Sequence, residues 1–181
     1  MENRKLLNEE LERKSMEEFR NSEKTPLILI LENIRSMNNV GSVFRSADAF
    51  LIEKIYLCGY TPCPPHREIQ KTALGATETV NWEHADSSIH IIRKLKEENV
   101  MIYSVEQSEN SIPLQNIPVA KEKRIALIFG NEVDGVSQQA IDFSDGVVEI
   151  PQAGMKHSLN ISVAAGIVCW EIFRGVNYGL R

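Results

Sequence analysis

No apolar run in this chain approaches the roughly 20 residues that cross a bilayer. The opening MENRKLLNEELERK is too charged for a secretory signal, so a cytoplasmic protein is expected. Cysteine is scarce. Cys58, Cys63 and Cys169 are an odd number at unremarkable spacing, which suits free thiols in a reducing compartment and supplies no disulfide framework. An excess of positive charge is missing too: the formal net charge of −5 excludes a surface that is basic throughout, and any contact with nucleic acid has to come from a local patch. No internal repeat, linker or low-complexity tract interrupts the chain. What is left, at 181 residues with 43% hydrophobic and 25% charged, is ordinary globular composition with enough length for one core.

Several common chemistries lack their motifs. No G-x-G-x-x-G follows any apolar run, which leaves a conventional dinucleotide site without support. The segment GNEVDGVS at 130–137 has the glycine spacing of a phosphate-binding loop, but Val136 stands where that motif needs lysine, and without the cation little would hold a triphosphate. No G-x-S-x-G surrounds Ser158, so a serine hydrolase is not indicated. Cys58, Cys63 and His66 are loosely spaced with no fourth ligand beside them; free thiols in a loop are expected there, and no metal.

What is present is an alternating pattern. Residues 2–21 read as a charged helix with a thin stripe of Leu7 and Leu11, then Met16 and Phe19. Its bases Arg4, Lys5, Arg13, Lys14 and Arg20 are interleaved with acids, which predicts solvated pairing along a surface arm over 1–24, with contact to RNA or a partner subunit as the sharper alternative. Beyond Pro26 the run LILIL at 27–31 is the kind that fills a central parallel strand. Helices are then predicted over 40–51, 67–74, 89–98 and 137–143, and strands over 54–58, 79–82, 100–105, 124–129 and 146–150. That order predicts an α/β domain over 25–181, a mostly parallel sheet with helices on both faces, whose ligands sit outside the carboxyl ends of the strands. Three polar loops fall at such ends, 32–45, 130–137 and 151–160.

The last of these loops lies inside the most distinctive stretch, GVVEIPQAGMKHSLNISVAAGIVCWEIFR at 146–174. Pro151 stops the strand, Gly154 frees the loop, and Ser158 is the expected N-cap of a helix over 159–173 that is apolar enough to be buried on most of its circumference. Its first turn, with Ser158, Asn160 and Ser162, offers orphan N–H groups and hydrogen bonders to a carboxylate, phosphate or ribose. Ordinary capping of a core helix accounts for the same residues and, on this segment alone, is the favoured reading.

Taken together, the polar loops carry a resemblance. NVGSVFRSADAF at 39–50, LIFGNEVDGV at 127–136 and IPQAGMKHSLNISVA at 150–164 are similar to the first, second and third motifs of the SpoU (TrmH-like) group of SPOUT RNA methyltransferases, and KTALGA at 71–76 fits between them. The likeness runs from about residue 26 to 173 with the motifs in order. It implies a SPOUT fold with a deep C-terminal trefoil knot, an obligate homodimer with active sites near the interface, bent S-adenosylmethionine as cofactor, and methyl transfer to a ribose 2′-hydroxyl. Phe129, Gly130, Asn131, Ile150, Pro151, Gly154, Met155, Ser158 and Leu159 would bind the cofactor. Among them Ile150 and Leu159 would flank the adenine, Gly130 would admit close backbone approach, and Gly154 would permit the sharp loop.

Arg45 is the motif arginine proposed to activate the hydroxyl. A charged guanidinium has no acceptor and a pKa above about 12, so the alternative role is to grip the neighbouring phosphate and stabilise charge developing on the ribose oxygen. Asn39 would hold Arg45 or the ribose, Glu132 would orient the basic side chain or the substrate hydroxyl, and Ser158 with Asn160 would complete the catalytic shell. RNA contacts are expected from Arg45, Arg67 and Lys71, together with the arm. Fewer than about thirty residues precede the first strand, short of the ribosomal-protein-like domain that many rRNA-modifying members carry, so tRNA is expected ahead of rRNA, with a D-loop guanosine as the nucleotide. Two readings remain open: an RNA 2′-O-methyltransferase, and a knotted cofactor-binding protein without catalysis that serves as an RNA-binding or assembly factor. The intact Asn39, Arg45, Glu132, Ser158 and Asn160 favour the enzyme.

Overall fold

The apolar run at 27–31 becomes the middle of strand β1 (Thr25–Glu32), and its side chains alternate between two separate cores. The computed structural model describes residues 3–11, 14–155 and 158–179. Leu27, Leu29 and Leu31 pack with Val40 and Phe44 of α2 (Met37–Ala49), Ile69 of α3 (Arg67–Ala73) and Val168 and Ile172 of α7 (Ile161–Tyr178). Ile28 and Ile30 face the other way, onto Ile91, Ile92 and Leu95 of α5 (Ser88–Glu97) and Ala140 of α6 (Gln138–Phe143). Each of these fully buried leucines and isoleucines contributes about 1.5–3 kcal/mol through area removed from water. A strand covered on both faces has to be apolar at every position, hence the unbroken run.

Around β1 lie β2 (Ile52–Cys58), β3 (Trp82–Ala85), β4 (Met101–Val105), β5 (Ile112–Pro113), β6 (Ile125–Phe129) and β7 (Gly146–Glu149). The sheet order is β3-β2-β1-β6-β4-β7-β5, and every pairing is parallel. All carboxyl ends therefore open on one edge. Among the described residues no helix is long and apolar enough to cross a membrane.

Four local expectations are corrected. The arm does not form one helix: a 3-10 turn at Asn8–Glu10 is followed by a fresh start at α1 (Met16–Asn21), because Ser15 caps it in a reciprocal box with Glu18. The strand expected at 79–82 begins only at Trp82, because Gly75 in the left-handed region opens a helical turn, α4 (Ala76–Thr79). Asn160, not Ser158, is the N-cap of α7: its Oδ1 accepts from the Ser162 backbone N–H at 2.9 Å and the Ser162 hydroxyl at 2.6 Å. Nor is α7 buried on most sides. Val163, Ile167 and Trp170, spaced to share one face, are 51%, 38% and 47% exposed.

Candidate active site

Where the strands end, the loops after β4, β6 and β7 enclose a cleft of about 460 Å³. Its floor is a tight turn after β6. Asn131 and Gly135 exchange two backbone hydrogen bonds, N–H of Asn131 to O of Gly135 at 3.0 Å and the reverse at 2.9 Å. For that turn to close, Gly130 must lack a side chain: a Cβ there would lie 2.0 Å from the Gly135 carbonyl carbon and 2.1 Å from the Val136 nitrogen. The glycine thus serves the turn's own packing. The Asn131 side chain is spent on the same loop, donating to the Asn33 carbonyl at 2.9 Å and the Tyr60 hydroxyl at 2.6 Å and accepting from Val133 and Asp134 N–H.

Of the residues expected to bind the cofactor, Phe129, Gly130, Asn131, Ile150, Ser158 and Leu159 line the cleft. Pro151, Gly154 and Met155 do not. They belong to a stretch that runs out into solvent, where Met155 is 84% exposed, a Cβ on Gly154 would meet nothing, and the Gly154 φ is not positive. Neither space nor strain requires glycine at 154.

The three motifs meet at Glu132. Its carboxylate accepts from the backbone N–H groups of Arg35 at 3.0 Å and Ser36 at 3.1 Å and from the Asn39 amide at 3.1 Å. Asn39 in turn accepts from the Asn160 amide at 3.2 Å. One chain of hydrogen bonds therefore joins the β6 turn, the start of α2 and the start of α7. Partial burial pushes the Glu132 carboxyl up, but the N–H groups of Arg35, Glu132 itself and Ser36 and the amide of Asn39 outweigh it and hold it below the ordinary range. A carboxyl depressed in the folded state adds stability that is present above its unfolded value, about 4.3, and is lost as pH falls through the folded value. Glu132→Gln should accordingly lower the midpoint of urea unfolding at pH 7 and flatten its fall between about pH 5 and pH 3. Identical pH profiles for variant and wild type would remove this role.

Arg45 stands apart from the residues expected to hold it. Exposed on α2, it makes no hydrogen bond or ion pair with any described residue and does not line the cleft. The reason is helical geometry, since six residues beyond Asn39 the chain has risen about 9 Å and turned to another face. Neither Asn39 nor Glu132 orients Arg45 within one chain. The Ser158 hydroxyl lines the cleft without a partner among the described residues.

Two acids escaped the sequence reading. Glu106, at the end of β4, lines the cleft and is pinned by N–H groups of Gln107 at 2.9 Å and Val136 at 3.1 Å. Glu32 is 5% exposed at the end of β1 and accepts from the Ser88 hydroxyl at 2.5 Å and from the Ser137 N–H at 2.8 Å and hydroxyl at 2.9 Å, tying α5 and α6 to the sheet. The available signal was a carboxylate placed directly after a buried strand. Burial pushes the Cys58 and Cys169 thiols up to about 12, so neither is a nucleophile at neutral pH. Among the described residues no group of His, Cys, Asp and Glu converges to hold a metal.

A wholly parallel sheet with its cleft at the carboxyl edge, walled by apolar side chains and carboxylates, defines an α/β ligand-binding domain. The chain belongs to the SpoU rRNA Methylase family, which matches residues 26–170. It is 32% identical over 155 residues to the 23S rRNA (guanosine-2'-O-)-methyltransferase RlmB of Neisseria meningitidis, covering 85% of this chain and 60% of that protein. To the tRNA (guanosine(18)-2'-O)-methyltransferase of Thermus thermophilus it is 28% identical over 165 residues, covering 91% of this chain and 83% of the other. The chain thus spans less than two thirds of the first relative and most of the second. Among solved structures, the AdoMet-bound rRNA methyltransferase of Sinorhizobium meliloti superposes with a TM-score of 0.76 at 28% identity, covering 82% of this chain and 56% of that one. The A. aeolicus TrmH/SpoU tRNA modifying enzyme does so with a TM-score of 0.78 at 25% identity, covering 88% and 81%.

Proposed function

We propose that this protein methylates a ribose 2′-hydroxyl of RNA with S-adenosylmethionine as donor. The observation that carries the reading is the joining of all three family motifs through Asn39, Glu132 and Asn160 at the rim of one cleft. The cleft suits the cofactor in size and chemistry: Ile150 and Leu159 offer apolar surface to a flat base, while Glu106, Glu132, Asp134 and Glu149 offer acceptors to hydroxyl and ammonium groups and negative charge to a sulfonium. When bound, S-adenosylmethionine supplies a methyl group on a positive sulfur that leaves as a neutral thioether. The chain's own task is to hold the ribose oxygen in line and to stabilise the negative charge that grows on it as its proton departs. Arg45 is a cation without a partner among the described residues, on the helix whose first turn carries Asn39, and a phosphate-gripping, charge-stabilising role fits a guanidinium better than that of a base.

Two structural features belong to the same reading. The segment 114–124 leaves edge strand β5 and returns to β6 across β7 and β4, and α7 packs against Leu114–Asn116 on that side, an arrangement that supports a C-terminal trefoil knot. The exposed stripe of Val163, Ile167 and Trp170 supports a homodimer across α7. Gly166 of α7 faces Ser46 of α2, so Arg45 lies near that border and would complete a site across it.

The test is to titrate the purified protein with S-adenosylmethionine in a calorimeter and to assay methyl transfer to unmodified tRNA transcripts and 23S rRNA fragments, mapping 2′-O-methyl sites. Cofactor binding with a 2′-O-methyl mark in either RNA supports the enzyme, and a mark in tRNA alone supports the substrate preference expected from the sequence. Binding with no mark in any RNA would favour the non-catalytic assembly factor, and absence of binding would overturn the cofactor site.

A further inference from the structure

The charged residues of this acidic chain are not spread evenly. At the amino edge of the sheet two cations are neutralised: Arg124 pairs with Glu53 at 2.7 Å and Glu98 at 2.9 Å, and Lys54 pairs with Glu83 at 2.7 Å. On the arm, Arg4 is taken by Glu10 at 2.7 Å, whereas Lys5 and Lys14 have no ion pair with a described residue; Arg13 lies outside the described residues. Another set of cations, on the loop after β1 and on α2 and α3, is left free of partners among the described residues. Arg35, Arg45, Arg67 and Lys71 are all exposed, and none of their side chains makes a hydrogen bond or ion pair with a described residue. They occupy adjoining elements, for α2 and α3 pack together and the Thr72 hydroxyl donates to the Asn38 carbonyl at 3.0 Å.

Tyr60 stands at the start of the loop after β2, 58% exposed. Its position is fixed at two points. The phenol oxygen accepts from the amide of Asn131, a residue only 6% exposed, and the Tyr60 backbone N–H donates to the Asn33 Oδ1 at 3.3 Å. Asn131 precedes Glu132, which in turn holds the Arg35 backbone. No other ring or cation stacks on Tyr60 among the described residues. An aromatic ring held by a buried amide of the cleft lining and by Asn33, two residues before the unpaired Arg35, with its surface left to water, has the chemistry of a surface for unpaired nucleotides: the ring stacks on a base, and cations take the phosphates on either side.

We propose that Tyr60 is a stacking platform for an unpaired RNA base beside the nucleotide that enters the cleft, with Arg35 and Lys71 holding the flanking phosphates. The inference rests on the RNA reading above and adds to it the strand conformation that the site accepts, since a base inside a continuous duplex presents no free face to a ring. Because stacking contributes through the ring and the bond to Asn131 through the hydroxyl, two substitutions separate recognition from support. Tyr60→Phe keeps the ring and loses the hydroxyl; Tyr60→Ala loses both.

The probes are fluorescein-labelled unmodified tRNA transcripts and 23S rRNA stem-loops, the one bound most tightly by the wild type being carried through the series, with S-adenosylmethionine affinity measured on each variant. Tyr60→Ala should weaken RNA binding by about 5- to 100-fold. Tyr60→Phe should stay within about twofold of wild type, and cofactor affinity should hold in both, since the ring lies outside the cleft lining. Equal RNA affinity for wild type and Tyr60→Ala would overturn the proposal. So would a Tyr60→Phe variant as weak as the alanine, accompanied by weaker cofactor binding, because it would show a residue that only braces Asn131. A wild-type protein that binds the cofactor but none of these RNAs would instead overturn the RNA reading, and the platform with it.

Discussion

Arg45→Ala is expected to leave S-adenosylmethionine affinity within about twofold of wild type and to slow methyl transfer at saturating RNA by about 100- to 1000-fold, the scale of removing one preorganised charge-stabilising donor. The separation follows from position. Arg45 lies on α2, outside the lining of the cleft and without a partner among the described residues, so cofactor binding does not draw on it. An interaction made mainly as charge develops on the ribose oxygen is felt in kcat. Arg45→Lys then distinguishes charge from shape. Lysine keeps the positive charge but loses the planar fork, so a variant that recovers much of the rate points to charge alone, and one as slow as alanine points to bidentate grip of a phosphate. Single-turnover measurement with RNA and cofactor saturating is the check, and a wild-type rate in Arg45→Ala would end the catalytic assignment.

The second large effect belongs to Gly130. Replacement by valine puts a Cβ 2.0 Å from a backbone carbon that cannot step aside without opening the Asn131 and Gly135 pairing. The turn should shift or open, costing about 1–3 kcal/mol, and with it go the cleft floor and the placement of Glu132. Calorimetry should show loss of S-adenosylmethionine binding and chemical denaturation a lowered midpoint. Gly154→Ala is the matched control: with open space around it and no positive φ, it should bind cofactor as the wild type does. If Gly130→Val bound normally, the turn would not be the cleft's floor.

That contrast between two glycines in two motifs shows where reading a sequence stops. Both looked alike as loop glycines, and only the approach of Gly135 to Gly130 across the turn tells them apart. The same holds for the acids. Glu32 and Glu106 are unremarkable letters at the ends of β1 and β4, and their value comes from Ser88, Ser137 and Val136, which the chain brings to them from far along the sequence. Tyr60 is another such case: nothing in its neighbours along the chain foretells the buried Asn131 that fixes its ring.

What the amino-acid sequence determined by itself was whatever depends on local chemistry and period. The unbroken run at 27–31 required a strand covered on both faces, the alternation of strand and helix required a parallel sheet, and the order of the motif loops placed the polar residues at its carboxyl edge. Tertiary structure decided the rest, because contact between distant residues is set by strand order and helix packing. It put β6 beside β1, so that Glu132 reaches Asn39, and α7 against α2, so that Asn160 reaches the same amide. It also left one face of α7 bare, since the sheet and α2 together cover only part of a cylinder.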